Sequence, residues 1–291
     1  MHMTKLRRLT AIVGATVLAS VPLHLTTTGA DASTTPTPSR AATPTITARV
    51  TASGVTLTGV KGLHAGRAKL AVKGKGDTTA TFGTLRAGYS WEAFTKDLVA
   101  GFIKNDAKAI KRVYAKADAL GGLAPGESGT IVFPHPGRYF AFTFGDKGPS
   151  EPAWFTVGAK RASRTPHVDG RIVATDGPAW SGSASMPAAG TLLFKNVATT
   201  KVLHFVEMQR VEEGTTVDEV LATFQGPESQ DPPPWMLRGS LSADVLSPGR
   251  SMTVDYDLPP GQYVLLCFMP DPNMHGTPHA FMGMIEMIHL T

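Results

Sequence analysis

From residue 46 onward the chain is built of short runs in which apolar and polar residues alternate, each closed by a turn rich in Gly or Pro. Alternation with a period of two is the pattern of a strand with one buried face. It predicts strands over 46–57, 67–72, 170–175, 191–196, 202–211, 252–258, 262–268 and 284–290. The same series of signals occurs twice. Pro125-Gly126 opens an alternating run to Phe133, and Pro136-Gly137 then opens a second run beginning at Tyr139. In the second half, Pro248-Gly249 precedes the run to Tyr256, and Pro260-Gly261 precedes the run from Tyr263. Upstream, the Gly88 to Phe94 segment matches Gly214 to Val220. In both, a short helix with apolar residues at i and i+3 follows a strand. In the first half a Lys- and Ala-rich extension over 98–120 lengthens that helix as an insertion.

With 30 Gly and 22 Pro supplying turns, the pattern predicts an all-β fold of two β-sandwich domains, the first with an inserted helix. The domains are expected at 46–160 and 168–291, separated by the polar stretch around 159–167.

The N-terminus has another character. Lys5, Arg7 and Arg8 precede an apolar run over 9–23, and Ala30-Asp31-Ala32 offers a small-residue cleavage site. These three parts predict a secretory signal over 1–32, cleaved after Ala32, and hence a secreted, extracytoplasmic protein. Residues 33–45 are almost entirely Thr, Pro, Ser and Ala, a flexible linker that has too little apolar surface to pack. The three basic residues and Asp31 of the signal account for +2 of the +5 formal charge, leaving +3. That balance predicts no nucleic-acid partner, and no later stretch approaches the ~20 apolar residues of a membrane span. The basic insertion residues Lys104, Lys108, Lys111, Arg112 and Lys116 form either a partner face or, more commonly, a solvated one.

Cys267 is the single cysteine. Exported proteins ordinarily pair their cysteines, and this one has no internal partner. His275, His279 and Met284 follow it before the last strand. Thiolate, imidazole and thioether together suit a soft metal such as copper.

The second half, over roughly 169–291, resembles the cupredoxin (type 1, blue copper) family. Two stretches carry the resemblance: 191–206, with Asn196 and His204, and 267–284, with its Cys, His and Met. It implies cupredoxin-like Greek-key β-sandwiches and one copper ion in the C-terminal domain. The implied ligands are His204, Cys267, His279 and Met284, with His275 as the alternative ligand. Compared with the family, the loop between Cys267 and His279 is lengthened by 271–278. In the first half Thr143 and Thr78 stand where Cys267 and His204 do, so that half is expected to be a degenerate, metal-free repeat.

Family enzymes carry His-x-His pairs for further copper and a His directly before the copper Cys. Here no His-x-His occurs and Leu266 precedes Cys267, and no hydrolase or phosphate-loop motif is present. The expectation is therefore a non-enzymatic, exported electron-transfer protein. Its partner would be a redox or copper-donor protein docking on Phe268, Met269, Pro278 and Phe281 around His279. Two alternatives stand beside it. One is Cu(I) storage or chaperoning by Cys267 with Met269, Met274, Met282 and Met284. The other is a metal-free cell-surface binding module.

Overall fold

The computed structural model describes residues 42–291 apart from 77, 146, 147, 228 and 230. The expected signal over 1–32 and residues 33–41 of the linker lie outside the described residues.

The first half contributes β1 (Thr45–Thr51), β2 (Gly54–Thr58), β3 (Gly66–Gly74), β4 (Ala80–Leu85), β5 (Ala117–Leu123), β6 (Ser128–Phe133), β7 (Gly137–Phe142), the two-residue strands β8 (Phe144–Gly145) and β9 (Gly148–Pro149), and β10 (Ala153–Val157). The second contributes β11 (Gly170–Thr175), β12 (Ala179–Gly182), β13 (Ser185–Met186), β14 (Ala189–Asn196), β15 (His204–Val211), β16 (Met236–Leu246), β17 (Ser251–Asp257), β18 (Gly261–Leu266), β19 (Pro270–Asp271), β20 (Thr277–Pro278) and β21 (Ile285–Leu290). Helices α1 (Trp91–Leu98) and α2 (Ala107–Lys116) belong to the first half, and α3 (Val217–Gln225) to the second.

The repeat seen in the sequence is a repeat of topology. One sheet runs β12-β11-β14-β17-β6-β3-β1-β2 and the other β10-β7-β4-β5-β16-β15-β18-β21-β13. Each half supplies the same partners with the same polarity: β1 lies parallel to β3 as β11 does to β14, and β4 pairs antiparallel with β7 as β15 does with β18. Register extends the match to single residues. Thr81 faces Phe142 as Glu207 faces Leu266, so Thr143, directly after Phe142, stands at the position of Cys267; Thr78 lies ahead of β4, where no strand pairing extends the match to His204. The two opening tyrosines are also equivalent. Each is fully buried, and its hydroxyl donates to a carbonyl four residues back, Tyr139 to His135 (2.8 Å) and Tyr263 to Pro259 (2.6 Å). Such a bond fixes the corner at which the chain enters the strand.

The halves meet edge to edge, through the equivalent strands. β6 pairs antiparallel with β17, and β5 meets β16 at Leu120 and Leu246. A Cβ on Gly129 would lie 1.9 Å from the Thr253 carbonyl, so this close approach demands glycine. Arg250 adds a two-pronged ion pair to Asp118 across the seam (2.9 and 2.6 Å). A continuous core containing Phe133, Tyr139, Phe194 and Tyr263 fills the space between the sheets. A second cluster, Val220 and Phe224 of α3 with Trp235, Phe268 and Ala280, covers the outer face around Val264, Leu266 and Ile285.

Three sequence expectations are revised. The 46–57 run is a hairpin, turning between Thr51 and Gly54. The inserted helix does not reach residue 120. It passes through a π-helical stretch (Val99–Ile103), breaks at the left-handed Asn105 (φ 58°), and ends at Lys116. Ala117–Leu123, although rich in helix-forming Ala, becomes a strand because it is held between β4 and β16. Strand β16 was not anticipated, because Gly239 and Ala243 alternate with Leu241 and Leu246 on its core face and dilute the hydrophobic signal.

Next to the seam, Glu207 is buried and accepts a bond from the Ser242 hydroxyl. Burial, reinforced by the charge of Glu127, pushes its pKa up to about 8 from an ordinary 4.5. A carboxyl raised in this way contributes full stability below pH 4.5, and that stability is lost as pH rises towards 8. Glu207→Gln keeps the acceptor for Ser242 and removes the ionisation. In thermal melts the variant should exceed the parent Tm by a few degrees at pH 8, with the gap closing towards pH 4.5. A gap independent of pH would show that Glu207 does not titrate in the fold.

Candidate metal centre

His204, Cys267 and His279 converge at one end of the second half. His204 opens β15 opposite Leu246. The turn before it is set by the fully buried Asn196, whose amide donates to the Val202 and Leu246 carbonyls (3.0 and 2.9 Å) and accepts from the Ala198 N–H. Asp176 clamps the same turn by accepting bonds from the N–H and hydroxyl of both Thr199 and Thr200. Cys267 follows β18 directly. Alternation sends Leu266 and Phe268 to the outer cluster and Cys267 into the main core.

The lengthened loop proves to be a side hairpin. Pro270 and Asp271 stand opposite Pro278 and Thr277. The turn is held by the Asp271 carbonyl, which accepts from Met274 and Gly276 N–H (3.2 and 2.8 Å), and by its carboxylate on Asn273 N–H (2.7 Å). At the neck the His279 N–H donates to the Met269 carbonyl (3.0 Å). The extra residues thus leave and rejoin the loop at a single rung, so Cys267 and His279 lie close despite the insertion. His279 begins a 3-10 turn (His279–Met282) that folds back on Cys267: Ala280 N–H donates to the Cys267 carbonyl (2.8 Å), Met284 N–H to His279 (3.0 Å), and Cys267 N–H to Met284 (3.2 Å).

The Sγ of Cys267 lies 3.9 Å from Nδ1 of His204 and 3.8 Å from Nδ1 of His279. The two rings are 4.7 Å apart, centre to centre. These separations are long for thiol–imidazole hydrogen bonds. A metal ion at about 2.0 Å from nitrogen and 2.3 Å from sulfur, in a trigonal arrangement, would hold N and S roughly 3.7 Å apart, so the spacing fits a shared ion. All three residues are 0 % exposed, and they form the one such His, Cys or carboxylate group among the described residues. Each imidazole turns Nδ1 towards the sulfur and leaves a buried Nε2 with no partner among the described residues. Burial without hydrogen bonds is costly for an imidazole; an ion held by the two Nδ1 atoms and the sulfur would give those three atoms a shared partner, while each Nε2 would still have none among the described residues.

Burial also sets the protonation states. It depresses the basicity of His204 to about 3, helped by His279, and that of His279 to about 4. It pushes the Cys267 thiol up to about 12, although the N–H groups of Phe205 and Met269, directed at the sulfur, act in the opposite sense.

Of the expected residues, His204, Cys267 and His279 are brought together. His275, the alternative, is exposed at the hairpin tip with a left-handed backbone (φ 55°) and stands apart from the group. Met284 is fully buried and joined to Cys267 through its carbonyl. The expected docking patch around His279 is not formed, because Phe268 and Met269 are buried in the core clusters and only Pro278 and Phe281 are partly exposed. Sequence reasoning missed the sulfur-directed N–H groups of Phe205 and Met269. No side-chain pattern marks a main-chain donor.

No family model matches the chain, and no curated protein is similar to it in sequence. Solved structures similar to the chain include a dithionite-reduced auracyanin from Roseiflexus castenholzii (21% identity, 42% of this chain and 94% of that one, TM-score 0.28). A copper nitrite reductase from Nitrosomonas europaea spans both halves (12% identity, 86% of this chain and 94% of that one, TM-score 0.24). Reduced rusticyanin is a third (17% identity, 42% and 76%, TM-score 0.21). Likenesses this distant say nothing about activity, and the chemistry rests on the residues themselves.

At pH 7 both imidazoles are already neutral and the thiol is protonated, so a metal ion bound through the thiolate must displace about one proton, all of it from Cys267. Calorimetric titration with copper in buffers of different ionisation enthalpy should give that stoichiometry. Copper uptake with no proton release would contradict thiolate ligation.

Proposed function

We propose that the chain is an exported copper protein that transfers single electrons through one mononuclear type 1-like centre in its C-terminal domain, 168–291. The reading rests on one observation above the others: two neutral imidazoles and one thiol, fully buried, face each other at metal-bridging distance. His204, Cys267, His279 and Met284 would hold the ion, the donor set of an electron-transfer copper site. When bound, copper supplies a one-electron couple. The chain's own groups do the rest. The N–H groups of Phe205 and Met269 favour the thiolate. Burial keeps both histidines unprotonated and water away. Asn196 and the hairpin neck hold the ligands in place before the ion arrives.

The first half, 46–160, is metal-free in this reading, with Thr143 and Thr78 in place of Cys267 and His204. Export follows from the N-terminal signal in the sequence, and the partner is a redox or copper-donor protein. Carrier rather than enzyme follows from Leu266 before Cys267 and from the lack of His-x-His. Storage in a flexible Met-rich loop fits less well, because Met269 and Met284 are core residues while Met274 is exposed at the hairpin tip.

Purified protein given Cu(II) should develop an intense visible Cu–thiolate band at one copper per chain. Cys267→Ser should abolish the band, and His279→Ala should weaken copper binding more than about 100-fold, beyond what loss of an outer-shell partner produces. His275→Ala and Thr143→Ala should leave it unchanged. A colourless wild type with tight Cu(I) binding would favour storage, and no copper binding in either state would leave a metal-free binding module.

A further inference from the structure

The inserted segment of the first half meets the hairpin that carries His279. That insertion (the π-helical stretch and α2) follows α1, whereas in the second half β16 is the next described element after α3. The last turn of α2 buries Tyr114, and its hydroxyl donates to the Pro270 carbonyl at 2.9 Å, across 156 residues of sequence. Pro270 stands opposite Pro278 at the hairpin neck. Neither proline has an N–H to give, so the neck is poor in main-chain donors at that point. The adjoining rung is the bond from His279 N–H to Met269. At the other end of the hairpin, Asn105 lies against Gly276. A Cβ on Gly276 would come 2.5 Å from the Asn105 side-chain oxygen. The insertion therefore touches the hairpin at both neck and tip.

We infer that the helical insertion of the first half is a working part of the second half's metal centre, with Tyr114 as a positioning residue for the Cys267–His279 loop. The physical reason is preorganisation. A loop already held in its liganding shape loses little freedom when the ion binds. Tyr114 supplies the hydrogen bond that a Pro–Pro neck lacks, and without it a buried carbonyl loses its donor. The duplicated topology thereby gains an asymmetric purpose: the half without ligands braces the half that has them. The inference rests on the copper reading only for the identity of the ion.

Hydrogen–deuterium exchange of the full, metal-free chain tests it. Tyr114→Phe keeps the ring and removes the bond. Amides over 269–280 should then exchange about two- to tenfold faster. Tyr139→Phe is the control, since it removes a buried tyrosine-to-carbonyl bond of the same kind at a corner of the first half. It should leave 269–280 unaffected. Asn105→Gly, which removes the side chain that meets Gly276 and keeps the left-handed backbone, should act like Tyr114→Phe even if that variant proves unstable. In copper-loaded protein Tyr114→Phe, but not Tyr139→Phe, should shift the Cu–thiolate band. Unchanged exchange over 269–280 in both Tyr114→Phe and Asn105→Gly would overturn the inference. If the wild type takes up no copper, the copper reading falls, and the exchange experiment still decides the role of Tyr114.

Discussion

A thiol and two imidazoles share one dry space at the end of the second sandwich, and the rest of the molecule is arranged around what that burial costs. Removed from water, each group is driven towards its neutral form: the thiol keeps its proton and the imidazoles lose theirs. None gains much from its neighbours, since the sulfur lies 3.8–3.9 Å from the nitrogens and each Nε2 lacks a partner among the described residues. Left alone, such a trio is a liability in a β-sandwich core. With a soft cation it becomes a preformed ligand set, and the loss of hydration is offset by metal bonds.

The fold holds this arrangement by duplication with divergence. Both halves use the same strand order, the same parallel pair and the same tyrosine corner. Where the second half has Cys267, the register of the first puts Thr143. Thr143 is itself nearly buried, and its N–H is satisfied by Ser150, so the position tolerates an ordinary polar residue. The scaffold thus does not require a cysteine at that position, the pattern expected of a site grafted onto a stable frame. The seam between equivalent strands, tightened at Gly129 and fastened by Arg250 and Asp118, makes each sheet continuous through both halves.

Much of this was legible in the sequence, for local reasons. Pro-Gly turns and period-two runs gave away the repeat because strands of this kind are specified by alternation and by their turns. The donor order His204, Cys267, His279, Met284 was legible because each occupies a strand end or the loop between the last two strands. What stayed hidden is non-local. In strand β16 the buried Gly239 and Ala243 interrupt the run of large core residues marked by Leu241 and Leu246, and Ala117–Leu123 is strand only because of its neighbours. The choice of His279 over His275 depended on a hairpin that returns the chain at the His279–Met269 rung. Tyr114 could not be suspected, since its partner lies in the other half of the chain.

The central claim is that Cys267, His204 and His279 bind one copper ion together. X-ray absorption at the copper edge of the loaded protein tests it most directly. The account predicts a single short copper–sulfur contact, two imidazole nitrogens and one ion per chain. A coordination shell of nitrogen and oxygen alone, with no short sulfur, would contradict it.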